Sequence, residues 1–476
     1  MKNITKILAA IALMVVSVSC EDFLQEEPKS FASQEIVLSS RQGTEQALNG
    51  VYQAFNGYYR GRTHVMNLGI TSDEISFLQT NTSRLELQTY TFSAENGNLA
   101  RAWEAHVYAV NRANIILDLI DEEYADLKGE ALFLRAWSYF MLVRYYGSVP
   151  LITSIEQPLN LFPSKDPIAD IYDQIIADFS EAATLMPPHG ETRAPGVPGR
   201  GAAKSALAWV YLTRGTSEVA QSGDFQMAAN LAKEVIETND YDLIENYVDV
   251  FIPANENGME DIWSIQFTAN QAGWDNSPHA DFSNNPNPDG INGFVNFALT
   301  NELYNTFEPG DERLDVIYKG EFTVVNAQTN EISLATTFNN LAFTNKYRDP
   351  ENLNRNNHGT NMPLIRFANV LLIHAEAENE VNGPTTAALN SINRVRARAN
   401  LNVPLSNLSQ EALRQAIRNE RFKEFHGEGI RWFDLQRWGI IEQRVEAVRE
   451  GVDVPTNFRY FPIPQTEVDA NPNLQN

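Results

Sequence analysis

The sequence predicts a mainly α-helical protein, built of tetratricopeptide-like helical pairs, with a loop-rich irregular region and a few short strands packed against that scaffold. Three observations predict it. Apolar residues recur at spacings of three and four over much of the chain, as on one face of a helix. The periodic stretches come in pairs broken by Gly- and Pro-containing turns, with small and large residues alternating. That is the rhythm of tetratricopeptide repeats, which run about 34 residues each, although the strict repeat pattern is absent. Periodicity is then lost between Tyr241 and Pro363, where Pro, Gly and Asn cluster.

At 476 residues the chain is long enough to bury a sizeable core. We read a single domain over 41–476: a helical-pair scaffold at 41–240 and 364–448, a loop-rich region at 241–363 and a tail at 449–476. The formal charge is −25. Nucleic acid is excluded as a partner, because a phosphate backbone must be met by Lys and Arg patches. The same field disfavours anionic polymers.

Residues 1–19 read as a signal peptide. Lys2 and Lys6 precede an apolar run from Ile7 to Val18, too short to span a bilayer comfortably. Cys20 is the only cysteine, so it has no partner for an internal disulfide. Lipidation of Cys20 as a new N-terminus accounts for it, and 20–40 then form a polar, extended, lipidated segment. Phe23 and Leu24 are candidates for anchoring that segment to the body.

Arg41 to Tyr58 reads as the first helix, with Ala47, Leu48, Val51, Tyr52 and Phe55 on one face. Asn67 to Asn98 reads as loop-rich. Trp103 to Ile120 and Gly129 to Tyr146 are helical, the second ended by Gly147 and Pro150. Ile168 to Met186 is stopped by Pro187-Pro188, and its partner runs from Arg200 to Arg214, with Ala228 to Glu237 after it. Tyr139, Tyr145, Tyr146, Trp209 and Tyr211 sit at helical spacing and read as core. In the irregular middle, Ile262 to Phe267 and Glu321 to Val325 are candidate strands.

Leu364 to Val381 and Thr385 to Ala399 form the next helical pair. His374 falls on an apolar face and reads as a satisfied core histidine. A further helix carries Leu413, Ile417, Glu420, Arg421, Glu424 and Phe425. Gly427 and Gly429 end it, and a second helix with Trp432, Phe433, Leu435 and Trp438 ends at Gly439. Glu420, Arg421, Glu424, Glu428, Arg431, Asp434 and Arg437 are interleaved there with aromatic residues. Buried charges persist only when paired, so we expect Arg–carboxylate forks locking two helices together. A metal or catalytic site built from Glu420, Glu424, His426, Glu428 and Asp434 is the alternative. It lacks a ligand spacing such as H-E-x-x-H and is crowded by arginines. No motif assigns a metal or cofactor anywhere in the chain.

The pattern N-E-R-x-x-E-F-x-G-E-G-x-R-W-F-D-L-x-R-W-G, over Asn419 to Gly439, resembles the C-terminal signature of the SusD/RagB family. Glu130 to Ile152 is similar to that family's second signature and Gly199 to Leu212 to its third. The helix at 364–381 resembles another, with Asn369 where glutamate is usual, and Phe461 to Asn476 resembles the family's ending. The resemblance implies a surface lipoprotein of Bacteroidetes that binds glycans beside a SusC-like TonB-dependent transporter, as a lid over its barrel. It places the protein at the outer membrane, facing outward and held by a lipid anchor. Ser17 to Cys20 looks like a lipoprotein cleavage box, with Ser17 where leucine is commonest, and Glu21-Asp22 resembles the surface-export signal of these lipoproteins.

Sugar faces are apolar C–H surfaces that lie on aromatic rings, and their hydroxyls need polar partners. On that basis Trp274, with Asp275 and Asn276, is the first candidate for glycan contact. Phe282 and Phe294 follow in the same region. Phe77, Asn81 and Arg84 are candidates from the N-terminal half, where Gln79, Tyr90 and Phe92 lie in a similar setting. For each aromatic the alternative is a ring that pins a loop to the core. The charge favours a neutral glycan such as a glucan or fructan. Two other functions stay open: a glycoside hydrolase using a pair among Asp73, Glu74, Asp275 and Asp281, and a tetratricopeptide-like scaffold that binds only protein.

Overall fold

The computed structural model describes residues 34–60, 63–155, 160–269, 296–323, 337–347 and 358–475. The described residues begin with helices α1 (Gln34–Leu38), α2 (Arg41–Tyr59) and α3 (Thr63–Ile70). Ser40 starts α2, its Oγ accepting the Gly43 N–H at 3.1 Å and so satisfying a donor that the helix end leaves open. Strand β1 (Ile75–Phe77) and helix α4 (Thr82–Thr89) follow. The stretch 67–98, expected to be loop-rich, therefore carries regular elements. Helix α3 escapes a periodicity search because every one of its residues is buried, leaving no polar face to alternate with.

Five helices then make the first half of the scaffold: α5 (Gly97–Leu119), α6 (Ala125–Tyr146), α7 (Ile168–Leu185), α8 (Arg200–Arg214) and α9 (Asp224–Thr238). Helix α2 packs on α5, and from α5 to α9 each packs on the next. Helix α6 is the spine of this layer and is buried almost throughout its length. Tyr139, Tyr145, Tyr146 and Trp209 are buried in the core, as the spacing predicts; Tyr211 is half-buried.

The irregular region supplies strands β2 (Asp261–Ile265), β3 (Phe297–Leu299), β4 (Ile317–Thr323), β5 (Thr337–Thr344) and β6 (Met362–Arg366), with a short helix α10 (Asn301–Thr306) after β3. Among the described residues β1, β3, β5 and β4 form one antiparallel sheet in that order, and β2 pairs with β6. Strand β2 falls where expected, and β4 starts earlier than the predicted strand at Glu321. Residues 364–366, read from sequence as helix, belong to β6. A short apolar run does not distinguish strand from helix, and pairing with β2 decides it.

Helix α11 (Phe367–Asn382) leaves β6 directly and packs on α9, joining the second half of the scaffold to the first. It also packs on α12 (Thr386–Arg398) and α13 (Gln410–Glu424). His374 is the satisfied core histidine expected, with Nδ1 2.8 Å from Ser391 Oγ. Helices α14 (Arg431–Arg437), α15 (Ile441–Val448) and α16 (Gln465–Ala470) complete the fold. Gly427 and Gly429 turn the chain between α13 and α14 at φ of 73° and 71°. Only glycine adopts that conformation without strain, and a Cβ on Gly429 would lie 2.7 Å from His64 Nε2.

The charges around this turn form the predicted forks, and the network reaches well beyond two helices. Arg421 Nε donates to Asp434 at 2.8 Å, and Arg437 grips Glu376 at 2.5 and 2.6 Å while also reaching Asp434. Arg366 and Arg398 converge on Glu424 and Glu260, and Arg366 also forks Glu428. Arg313 bridges Asp311, Glu420 and Glu424 without exposure to solvent. At Asn369, Arg421 Nη1 meets an amide oxygen at 3.0 Å in place of a second carboxylate. Arg396 and Arg398 are buried in this network, whereas Arg394 makes a surface pair with Asp242.

Candidate functional site

The sequence offered two loop regions as ligand surfaces, one near Phe77 and one in the irregular middle. The structure pairs β1, in the first, with β3, which follows residue 295 in the second. Strand β1 pairs with β3 in the register Ile75↔Leu299, Ser76↔Ala298 and Phe77↔Phe297. The ladder runs one bond further, from Leu78 N–H to Asn296 O at 2.9 Å. The segment 77–84 therefore lies beside the point where the chain returns from residues 270–295.

At this edge the Phe77 and Phe297 rings pack against each other at 5.3 Å between centroids, tilted by 41°. The guanidinium of Arg84 lies over both rings, 5.6 Å from each centroid. Phe77, expected as a stacking surface for sugar, is buried at 5% exposure. Strand pairing turns its ring inward onto Phe297, and Arg84 covers it. The polar groups above it are Arg84, which is half-buried, and Asn81, which is exposed.

Asn81 is already at work as the N-cap of α4. Its Oδ1 accepts the Arg84 N–H at 3.1 Å and the Ser83 hydroxyl at 2.9 Å. A second amide cluster stands next to it: Asn96 Nδ2 donates to Ser83 O and Glu86 Oε2, and Asn98 Nδ2 to Ser83 Oγ. Tyr90 is buried and Phe92 half-buried. They close an aromatic cluster with Phe458 and Phe461 beside Trp432. Trp274, Asp275, Asn276, Phe282, Phe294 and Cys20 lie outside the described residues. Sequence reading missed Phe297. The alternation of Phe297 and Leu299 across a short strand was its signal, and three residues are too few to stand out.

Beneath the edge, Asp73 and Glu74 fix β1 to the glycine turn. Arg431 forks Asp73 with two 2.7 Å bonds, and Arg444 adds a third at 2.7 Å. Burial alone would raise the Asp73 carboxyl, but these two arginines hold it below the usual carboxylate range. Glu74 accepts the Gly427 N–H, and burial pushes its carboxyl up to about 7. Neither carboxylate is free for acid–base work in an open cleft. Among the described residues no group of three or more His, Cys, Asp and Glu side chains is placed to hold a metal ion. Nor is any described helix long and apolar enough to cross a membrane.

Known proteins share this architecture. A family model described as "SusD family" matches residues 312–476, and one described as "Starch-binding associating with outer membrane" matches residues 22–212. SusD-like protein P25 of Formosa agariphila is 28% identical, over 99% of this chain and 98% of its own. The crystal structure of a SusD superfamily protein from Parabacteroides distasonis is 24% identical, with a TM-score of 0.80 over 92% of this chain and 98% of that one. A laminarin binding SusD-like protein is also 24% identical, with a TM-score of 0.74 over 91% of this chain and 98% of that one. Two family models at opposite ends, a relative along nearly the whole length and the shared helical frame lead to one assignment: the chain belongs to the SusD/RagB family.

Proposed function

We propose that the protein is a lipid-anchored, cell-surface glycan-binding protein of the outer membrane. It captures a neutral oligo- or polysaccharide, such as a glucan or fructan, by aromatic stacking and hydrogen bonding. It then passes the glycan to a SusC-like TonB-dependent transporter and leaves it uncleaved. The observation that carries this reading is the β1–β3 pairing, which sets Phe77 and Phe297 together at one sheet edge under the Arg84 guanidinium. The starch named in the matching family model and the laminarin named for a solved neighbour are both neutral glucans, in keeping with the acidic charge of this chain.

The hydrolase alternative requires two carboxylates facing each other across a cleft. Asp73 and Glu74 are instead tied up as structural anchors. Stacking plus a few hydrogen bonds corresponds to affinities of about micromolar or weaker. Retention on gels containing laminarin, xyloglucan, starch or levan tests the reading. We expect Trp274→Ala and Arg84→Ala each to weaken the retention while melting like the parent. A parent retained by none of these gels would refute glycan binding of this class.

A further inference from the structure

Pro187 to Arg200 form an Ω-loop on the scaffold, closed at its base by the Arg200 N–H donating to Pro187 O at 2.8 Å. Two contacts hold the loop down. On one side Arg193 forks Glu130 at 2.9 and 2.8 Å, and Glu130 also accepts the Tyr52 hydroxyl at 2.9 Å. On the other, Gly196 approaches Gln266 so closely that a Cβ would lie 2.2 Å from its Cδ. Between α2, the loop and the end of β2 lies a cleft of about 380 Å³. Asn49, Tyr52, Asn56 and Arg193 line one wall, and residues 194–197 and 264–266 the other.

The helical wall has a pattern of its own. Asn49, Tyr52 and Asn56 stand at i, i+3 and i+7, one step round α2 from the buried Leu48, Val51 and Phe55. The helix thus turns an aromatic ring between two amides toward the cleft. Arg193 is neutralised by Glu130, so the wall offers no spare cation to an anion. Asn56 is 6% exposed, and its Nδ2 has no hydrogen-bond partner. A buried amide left this way favours a ligand that brings an acceptor. The volume falls in the range of small-molecule sites, about 300–1,000 Å³.

We propose that this cleft is a second saccharide site, sharing no residue with the surface around Arg84. It takes one or two neutral sugar units, with a ring face against Tyr52 and hydroxyls on Asn49 and Asn56. The proposal rests on the carbohydrate reading given above.

Calorimetric titration of the full chain with laminari-, xylogluco- and malto-oligosaccharides tests it, comparing the parent with Asn49→Ala, Asn56→Ala and Arg84→Ala. Asn49 is exposed, so its variant folds; melting curves check Asn56→Ala. We expect two sugars bound per chain, falling to one in either asparagine variant, with Arg84→Ala removing the other. One sugar per chain, lost with Arg84→Ala and unchanged in both asparagine variants, overturns the second site and leaves the carbohydrate reading standing. One sugar per chain, lost with Asn49→Ala and kept with Arg84→Ala, supports the cleft and removes the Arg84 surface instead. No binding of any of these oligosaccharides to the parent overturns both.

Discussion

Glu74 carries a cost that its neighbours do not. Its carboxyl is raised from an ordinary 4.5 to about 7 by burial, against the Gly427 N–H that favours the ionised form. Between those two pH values the unfolded chain has lost the proton and the folded chain keeps it, so stability falls as pH rises through this window. Glu74→Gln removes the penalty and retains an acceptor for Gly427. We expect it to be more stable than the parent at pH 8, by on the order of 3 kcal/mol, with the gain gone below about pH 4.5. Urea melts of both proteins at the two pH values check this. The sequence marked Asp73 and Glu74 as loop acids open to catalysis. Their partners, Arg431 and Gly427, stand 358 and 353 positions away, and spacing along a chain carries no record of such pairings. The forks at Arg421, Asp434 and Arg437 were legible because both ends lie within one short stretch.

Among the elements, helices with one wet face were legible to within a few residues. Arg200–Arg214 is an instance, since small apolar residues recur along its buried side. Helix α3 and strand β6 were not, because an element buried on every side, or only five residues long, shows no alternation to read. The turn between α13 and α14 was read from Gly427 and Gly429 alone. Gly429→Ala tests how tightly it is specified. The left-handed backbone costs about 1–3 kcal/mol in a residue with a Cβ, and the clash with His64 adds to it. We expect the thermal midpoint to drop by several degrees. Gly451→Ala, at a φ of 77° in open space, should show the backbone part alone.

Over the whole molecule, the ionic network ties the second half of the scaffold to the strands and to Asp73 before β1. Burial would raise the carboxyls of Asp73, Glu376, Glu420, Glu424 and Asp434, yet their arginines hold each below its ordinary range. The stability they supply is complete above the unfolded carboxylate pKa of about 4 and is lost as pH falls below it toward the folded values. The thermal midpoint should therefore fall steeply between about pH 4 and pH 2; a flat profile there would mean that the forks contribute little. The proposed membrane anchor is Cys20, outside this network. Cys20→Ala should move the protein from the membrane fraction to the soluble one, which fractionation and blotting measure.

The fork between Asp73 and Arg431 also sets an order of events during synthesis. A ribosome has to add nearly the whole chain before the partner of Asp73 exists. The sheet edge beside Arg84 waits in turn for residues 297–299. Until then the β1 edge has neither its strand partner nor its ionic anchor.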